Sequence, residues 1–186
     1  MLGQLVKYRF TADQYERMGE AGIFRPEARL MLLEGSLYDL PPISPSYISC
    51  ITNLIVILHS LQAGDFIIAS QNPIRLDEYS ETQMDIALLR QRKDFYGDAT
   101  PMPADVLLVI EVADSTVESD GSYKMPLYAK AGIPEAWLVN LPDEKIELYA
   151  EPADGAYQFA VDFKRGEDVR AHSIADLFVP VADVLG

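Results

Sequence analysis

"DVLLVIEVADST", residues 105 to 116, places five apolar residues, Val106 to Ile110, ahead of a glutamate and then two more apolar residues. A run that is apolar on both faces reads as a central strand covered by other layers on each side. Glu111 is the exception within it. An unpaired charge in a sheet interior either costs several kcal/mol or shifts its pKa until it is neutral. The run therefore predicts a compensating neighbour for Glu111: a metal, a lysine or solvent.

Working outward, "QMDIALLR" (83 to 90) reads as another strand, with Gln83, Asp85, Ala87 and Leu89 on one face and Met84, Ile86 and Leu88 on the other. "DFIIASQNPIRL" (65 to 76) gives one or two strands, and "RLMLLEGSLYDL" (29 to 40) reads as a hairpin turning at Glu34-Gly35. After the central run, "STVESDGSYKMPLYAKAG" (115 to 132) is helical in outline, irregular at its start because of Gly121 and Pro126. "PEAWLVNL", "KIELYAEP" and "AYQFAVDF" follow as strands, with a turn at 142 to 144. Near the start, Thr11 and Gln14 form a capping box with Phe10 positioned to staple onto Tyr15, and a second helix is expected from Pro45 to Gln62, with Gly64 as its cap. The order of helix, hairpin, helix, strands, helix and strands predicts an α/β (α+β) fold. Its centre is a mixed sheet flanked by helices.

Composition bounds the function. The 186 residues are 49% hydrophobic and 24% charged, ordinary for one globular domain spanning 1–186. Cys50 is the only cysteine, so no internal disulfide can form, and "MLGQLVKYRF" has no apolar core behind a basic flank. The expectation is a cytoplasmic protein. The greasy stretch "ISCITNLIVILH" (48 to 59) is too short to span a bilayer, so no membrane is expected as a partner. Fifteen Lys and Arg against 29 Asp and Glu give a net charge of −14. That balance repels a phosphate backbone unless cations or local positive charge intervene.

The residues able to carry chemistry converge on three positions. Asp85 and Glu111 each sit mid-strand in the alternation and face the same side if their strands are neighbours. Two carboxylates that meet repel one another unless a proton or a cation lies between them. Lys124 follows Glu111 by thirteen residues, on the helix that should return over the sheet. Two acids and a lysine can support metal-assisted phosphodiester hydrolysis, the acids holding Mg²⁺ and the lysine orienting the nucleophile. Plainer readings exist for each. A mid-strand acid can lie at a sheet end near solvent, and Lys124 can form an i,i+4 surface pair with Asp120. Glu34 is most simply a turn residue. Asp114, Ser115 and Thr116 can cap the following helix. With no His or Cys cluster, zinc is disfavoured.

The segments "LLEGSLYDLPPISP", "SQNPIRL", "MDIALLRQRKDFY", "DVLLVIEVADST" and "SDGSYKMPLYAKAGIPEAWLVNL" resemble, in the same order, a large bacterial family of restriction-endonuclease-like proteins. That family, labelled a domain of unknown function, belongs to the PD-(D/E)XK nuclease superfamily. The resemblance implies a restriction-endonuclease-like sheet core and an endonuclease that hydrolyses DNA with Mg²⁺ or Mn²⁺. It implies Asp85 and Glu111 as metal ligands, with the Val112 carbonyl as a third oxygen. Lys124 takes the place of the superfamily lysine, where this chain has Ala113. Asp120 matches a frequent acid before that lysine, and Glu34 and Gln71 are supporting candidates. A homodimer is expected because duplex cleavage needs two sites. The chain departs from the family where Met31 replaces an acid, Tyr47 a histidine and Met84 the proline before the aspartate. These departures, with the acidic charge, support a competing expectation: a nuclease-fold protein of weakened or lost activity that serves as an interaction module.

Overall fold

The computed structural model describes residues 5–61 and 65–186, so Gln62 and the expected cap Gly64 lie outside the described residues. Twelve strands and five α-helical segments are present among them. The central sheet has six strands in the order β10-β9-β8-β7-β6-β3: Ala156–Lys164, Lys145–Ala153, Glu135–Asn140, Val106–Ala113, Ile86–Leu89 and Ile67–Ser70. Only β7 and β8 run parallel, and the other neighbours are antiparallel. The parallel pair and its neighbour β6 are buried at almost every position, as covered strands should be.

A second sheet of four strands, ordered β2-β1-β5-β4, is built from Ser36–Asp39, Leu30–Leu33, Ser80–Gln83 and Pro73–Asp77. The expected hairpin joins β1 to β2, with Leu33 opposite Ser36. Glu34 and Gly35 both have positive φ, 49° and 81°, as a two-residue hairpin turn requires. Gly35 also meets the N-terminal segment, because a Cβ there would fall 2.5 Å from Arg9 Cβ. Strands β11 (Asp168–Arg170) and β12 (Phe178–Pro180) form a small antiparallel pair.

The alternation of β7 divides the core into two clusters. Leu108, Ile110 and Val112 face Cys50, Leu54 and Leu58 of α2 (Pro45–Leu61) and Val181 and Val184 of α5 (Val181–Leu185). Val109 and Ala113 face the opposite way, toward Met125, Leu127 and Tyr128 and toward Leu33, Ile74 and Leu76 of the smaller sheet. The link from β7 to β8 is helical: α3 (Val117–Ser119), a π-helical turn (Asp120–Lys124) and α4 (Met125–Lys130) follow without a break. The π turn absorbs the irregularity expected around Gly121 and Pro126.

At the N-terminus, α1 (Ala12–Glu20) has the Thr11/Gln14 capping box. Beside it Phe10 stacks edge-on with Tyr8, and Tyr15 pairs with Phe24. The reading of 83–90 as one strand needs correction. The chain leaves the smaller sheet after Gln83 and enters the central sheet at Ile86, so Asp85 is not mid-strand. It lies in a two-residue crossing between sheets. Gln71-Asn72 makes the reverse crossing, from β3 to β4, and the Gln71 N–H donates to both Met84 O and Asp85 O at 3.1 Å. Alternation continued through 83–90 because each side of the break belongs to a strand of its own.

Candidate functional site

The sheet crossing at Met84-Asp85 opens into a cleft of about 240 Å³, walled by Met31, Tyr47, Gln71, Asp85, Asp120 and Lys124, among others. Asp85 is fixed by pairing of β6 with β7, which sets Ile86 opposite Ile110. Two residues beyond Ile110, the Val112 N–H donates 2.8 Å to Asp85 Oδ2. The Tyr47 hydroxyl, from the first turn of α2, donates 2.5 Å to Oδ1. Gln71 Nε2 in turn donates 3.3 Å to the Tyr47 oxygen. Burial pushes the Asp85 carboxyl up from its usual range, while the charge of Lys124 and the donors Tyr47 and Val112 pull it back.

Glu111 lies beneath the cleft rather than in its wall, with no exposed surface. Both of its oxygens are occupied. Lys124 Nζ donates 2.8 Å to Oε2, and the buried Tyr128 hydroxyl makes a short hydrogen bond to Oε1. Burial raises the Glu111 pKa, and the Lys124 charge opposes that rise. For Lys124 burial works in the depressing direction, but Glu111, Asp120 and Asp85 together override it and keep the ammonium charged. Lys124 also lies 3.1 Å from Asp120 Oδ1, and the other Asp120 oxygen accepts from Thr116 Oγ1 at 2.5 Å. The i,i+4 pair expected at a surface is therefore real but buried, Asp120 being 6% and Lys124 7% exposed.

Asp85, Glu111, Asp120, Lys124, Gln71 and Val112 thus share one neighbourhood, and Glu34 does not. Its exposed carboxylate stands at the hairpin tip, 3.5 Å from Lys130 Nζ, because the turn points it away from the crossing. Asp114 does not cap the following helix. Its Oδ2 accepts from Ser44 and Ser46, at 2.6 and 2.8 Å, and so ties the approach to α2 onto the end of β7. Met31 lines the cleft with its sulfur 3.8 Å from Thr82 Oγ1. Ala113 is fully buried in the core cluster under α4. The His172 backbone N–H donates to Glu135, and its ring meets Phe159.

Two contributors escaped the sequence reading. Tyr128 follows Lys124 by four residues, so both side chains share a helix face. That spacing was the available signal. Tyr47 was noted only as a replacement, and nothing local in the sequence ties α2 to the crossing at Asp85.

Two carboxylates, a third acid and one lysine at a sheet crossing present three negative groups against one ammonium. All of the side-chain donors are hard oxygens, which suit Mg²⁺ or Mn²⁺ far better than soft metals. Among the described residues no group of three or more His, Cys, Asp or Glu side chains stands in ion-holding geometry. Mg²⁺ commonly keeps several waters and takes only one or two carboxylates, so the donor set fits such an ion.

A mixed sheet flanked by helices, with this site at the end of its parallel pair, defines a restriction-endonuclease-like fold. The chain belongs to the Uma2 family, described as "Putative restriction endonuclease", whose model matches residues 12–182. It is similar in fold to a crystal structure described as that of "a putative nuclease belonging to DUF820" from Anabaena variabilis. The TM-score is 0.74 at 13% identity, over 95% of this chain and 97% of that one. No curated protein matches the chain. No described helix is long and apolar enough to cross a membrane.

Proposed function

We propose that the chain is a divalent-cation-dependent endonuclease that hydrolyses phosphodiester bonds in DNA. The observation that carries this reading is that Asp85 of the sheet crossing and Lys124 of the π turn line one cleft, with Glu111 of β7 directly beneath it and paired to Lys124. Asp85, Glu111 and the Val112 carbonyl would hold Mg²⁺ or Mn²⁺. When bound, such an ion lowers the pKa of a coordinated water and stabilises charge on the phosphate. Tyr47 and the Val112 N–H keep Asp85 turned toward the cleft, and Gln71 fixes Tyr47. Lys124 provides the positive charge beside the place where water would attack. Two such sites on a homodimer would cut both strands of a duplex.

The net charge of −14 makes cations essential to this reading, because they must screen protein from substrate as well as complete the site. A second reading is favoured by Met31, whose thioether lines the cleft and gives a hard cation no useful ligand. On that reading the fold is retained as an interaction module without cleavage. Incubating purified protein with supercoiled plasmid, in Mg²⁺ or Mn²⁺ and then in EDTA, tests the first against the second. Nicked or linear product that depends on the cation supports an endonuclease. Intact plasmid under all cation conditions, together with no cation binding in calorimetry, refutes it.

A further inference from the structure

Glu111 would be a cation ligand, yet it does not reach the cleft. Between its carboxylate and the open space stands Lys124, whose ammonium lies 2.8 Å from Glu111 Oε2 and 3.1 Å from Asp120 Oδ1. A cation arriving through the cleft meets Asp85 and Asp120 in the wall, with Lys124 already between the carboxylates. We propose that Lys124 is the resting counter-ion of the site, occupying ground that a divalent cation competes for, so that cation binding requires the Glu111–Lys124 pair to open. This rests on the cation-dependent reading above and adds to it an order of events and an opposing residue.

Three features make the exchange feasible. The first is charge: three carboxyl groups, Asp85, Glu111 and Asp120, are gathered around a single ammonium, and a divalent cation can balance more of their charge than one lysine can. The second is Tyr128, whose hydroxyl holds Glu111 Oε1 from the buried side. When Lys124 lets go, Glu111 keeps a donor, so the carboxylate is not stranded in the interior. The third is the placement of Lys124 at the end of the π-helical turn Asp120–Lys124, next to the open cleft and on a flexible four-carbon stem. The ammonium can move into the cleft, beside the attacking water, without moving a strand. Lys124 is thereby both an internal brake on cation affinity and, once displaced, the positive charge the reaction needs.

The sign of the effect is testable apart from activity. If Lys124 were only a cation-site helper, its removal would leave cation affinity unchanged or weaken it. As a competitor, its removal should tighten binding by at least about tenfold, since an adjacent positive charge is lost. Mn²⁺ affinity is measured by calorimetry and by the paramagnetic resonance signal of free Mn²⁺, for wild type, Lys124→Met, Lys124→Gln and Lys124→Arg. Expected are tighter binding in the two neutral variants, wild-type affinity in Lys124→Arg, and a larger rise in melting temperature on adding Mn²⁺ for the neutral variants than for wild type. In the wild-type protein, the ¹⁵N-labelled Lys124 ammonium resonance should change on adding Mg²⁺, which needs no variant to fold. Wild type that binds Mn²⁺ with neutral variants no tighter, or an ammonium resonance unchanged at saturating Mg²⁺, overturns the competition while leaving the nuclease reading intact. Absence of divalent binding by every protein overturns both.

Discussion

Replacing Tyr128 by Phe removes one hydroxyl from the interior and leaves the rest of the side chain in place. The Tyr128 ring is fully buried, and among the described residues its hydroxyl and Lys124 are the two side-chain donors to the Glu111 carboxylate. A hydrogen bond to a charged group contributes about 1.5–3 kcal/mol, and leaving a buried acceptor short of a donor costs a similar amount. Because Lys124 still compensates Glu111, the expected loss is about 2 kcal/mol, well below the roughly 3–5 kcal/mol of a broken buried ion pair. For a chain of 186 residues that corresponds to a melting temperature lower by roughly 4–8 °C. Urea denaturation followed by circular dichroism should show an earlier midpoint with an unchanged slope. Tyr157 provides the internal control: its hydroxyl donates to the neutral Ile133 carbonyl, so Tyr157→Phe should cost about 1 kcal/mol or less. A cycle combining Tyr128→Phe with Glu111→Gln should give a coupling of about 1 kcal/mol or more. A Tyr128→Phe loss below about 0.5 kcal/mol, or equal to that of Tyr157→Phe, refutes the claim that Tyr128 supports the Glu111 carboxylate.

Two further outcomes concern the frame around the site. Glu81 has a buried Oε2 without a hydrogen-bond partner, and burial, together with the nearby Glu16 carboxylate, lifts its pKa from 4.5 to about 7, against the pull of Arg75. The folded protein therefore binds an extra proton between those two values, and stability falls as pH rises through that window. Glu81→Gln should narrow the gap between melting curves at pH 5 and pH 8 by about 1–2 kcal/mol after solvent screening, with the raised carboxyls of Asp85 and Glu111 leaving the remainder. A wild-type melting temperature that rises across the same interval contradicts the assignment. Gly35→Ala should be far more damaging than Gly22→Ala. Both glycines have positive φ, but a Cβ at Gly35 would lie 2.9 Å from Arg9 Cα, whereas nothing lies within 4 Å at Gly22. We expect about 1 kcal/mol at Gly22 and more than about 2 kcal/mol at Gly35 by denaturant titration; equal losses would show that the hairpin does not press on the N-terminal segment.

The central strand was legible because β7 is covered on both faces, and coverage leaves a long apolar run in sequence. The hairpin at Glu34-Gly35 was legible because its two-residue turn needs a positive φ that glycine readily takes. Glu111 stood out for the same reason that it matters, being a charge inside an apolar strand, and Lys124 could be matched to it once the helix was known to fold back. Asp85 was found as a residue but misplaced in its element: alternation has period two on both sides of the sheet crossing and carries no mark of the change of sheet. Glu34 looked like a supporting acid because sequence shows its type but not its direction. Tyr47 lies 38 residues from Asp85, and no local pattern predicts contact between a helix start and a sheet crossing. Burial of the Asp120–Lys124 pair was hidden because an i,i+4 spacing looks the same on an exposed helix face and on one pressed against a sheet.

The most direct test of the cation-dependent nuclease reading is the rate of plasmid nicking in saturating Mn²⁺ by wild type and by Asp85→Asn, with Asp114→Asn as a control acid at the cleft. Asp85→Asn keeps the shape of the side chain but loses the charge that Tyr47 and Val112 orient. The account predicts Mn²⁺-dependent nicking by wild type and by Asp114→Asn, and a fall of at least about a hundredfold in Asp85→Asn. Nicking by Asp85→Asn at the wild-type rate would contradict it.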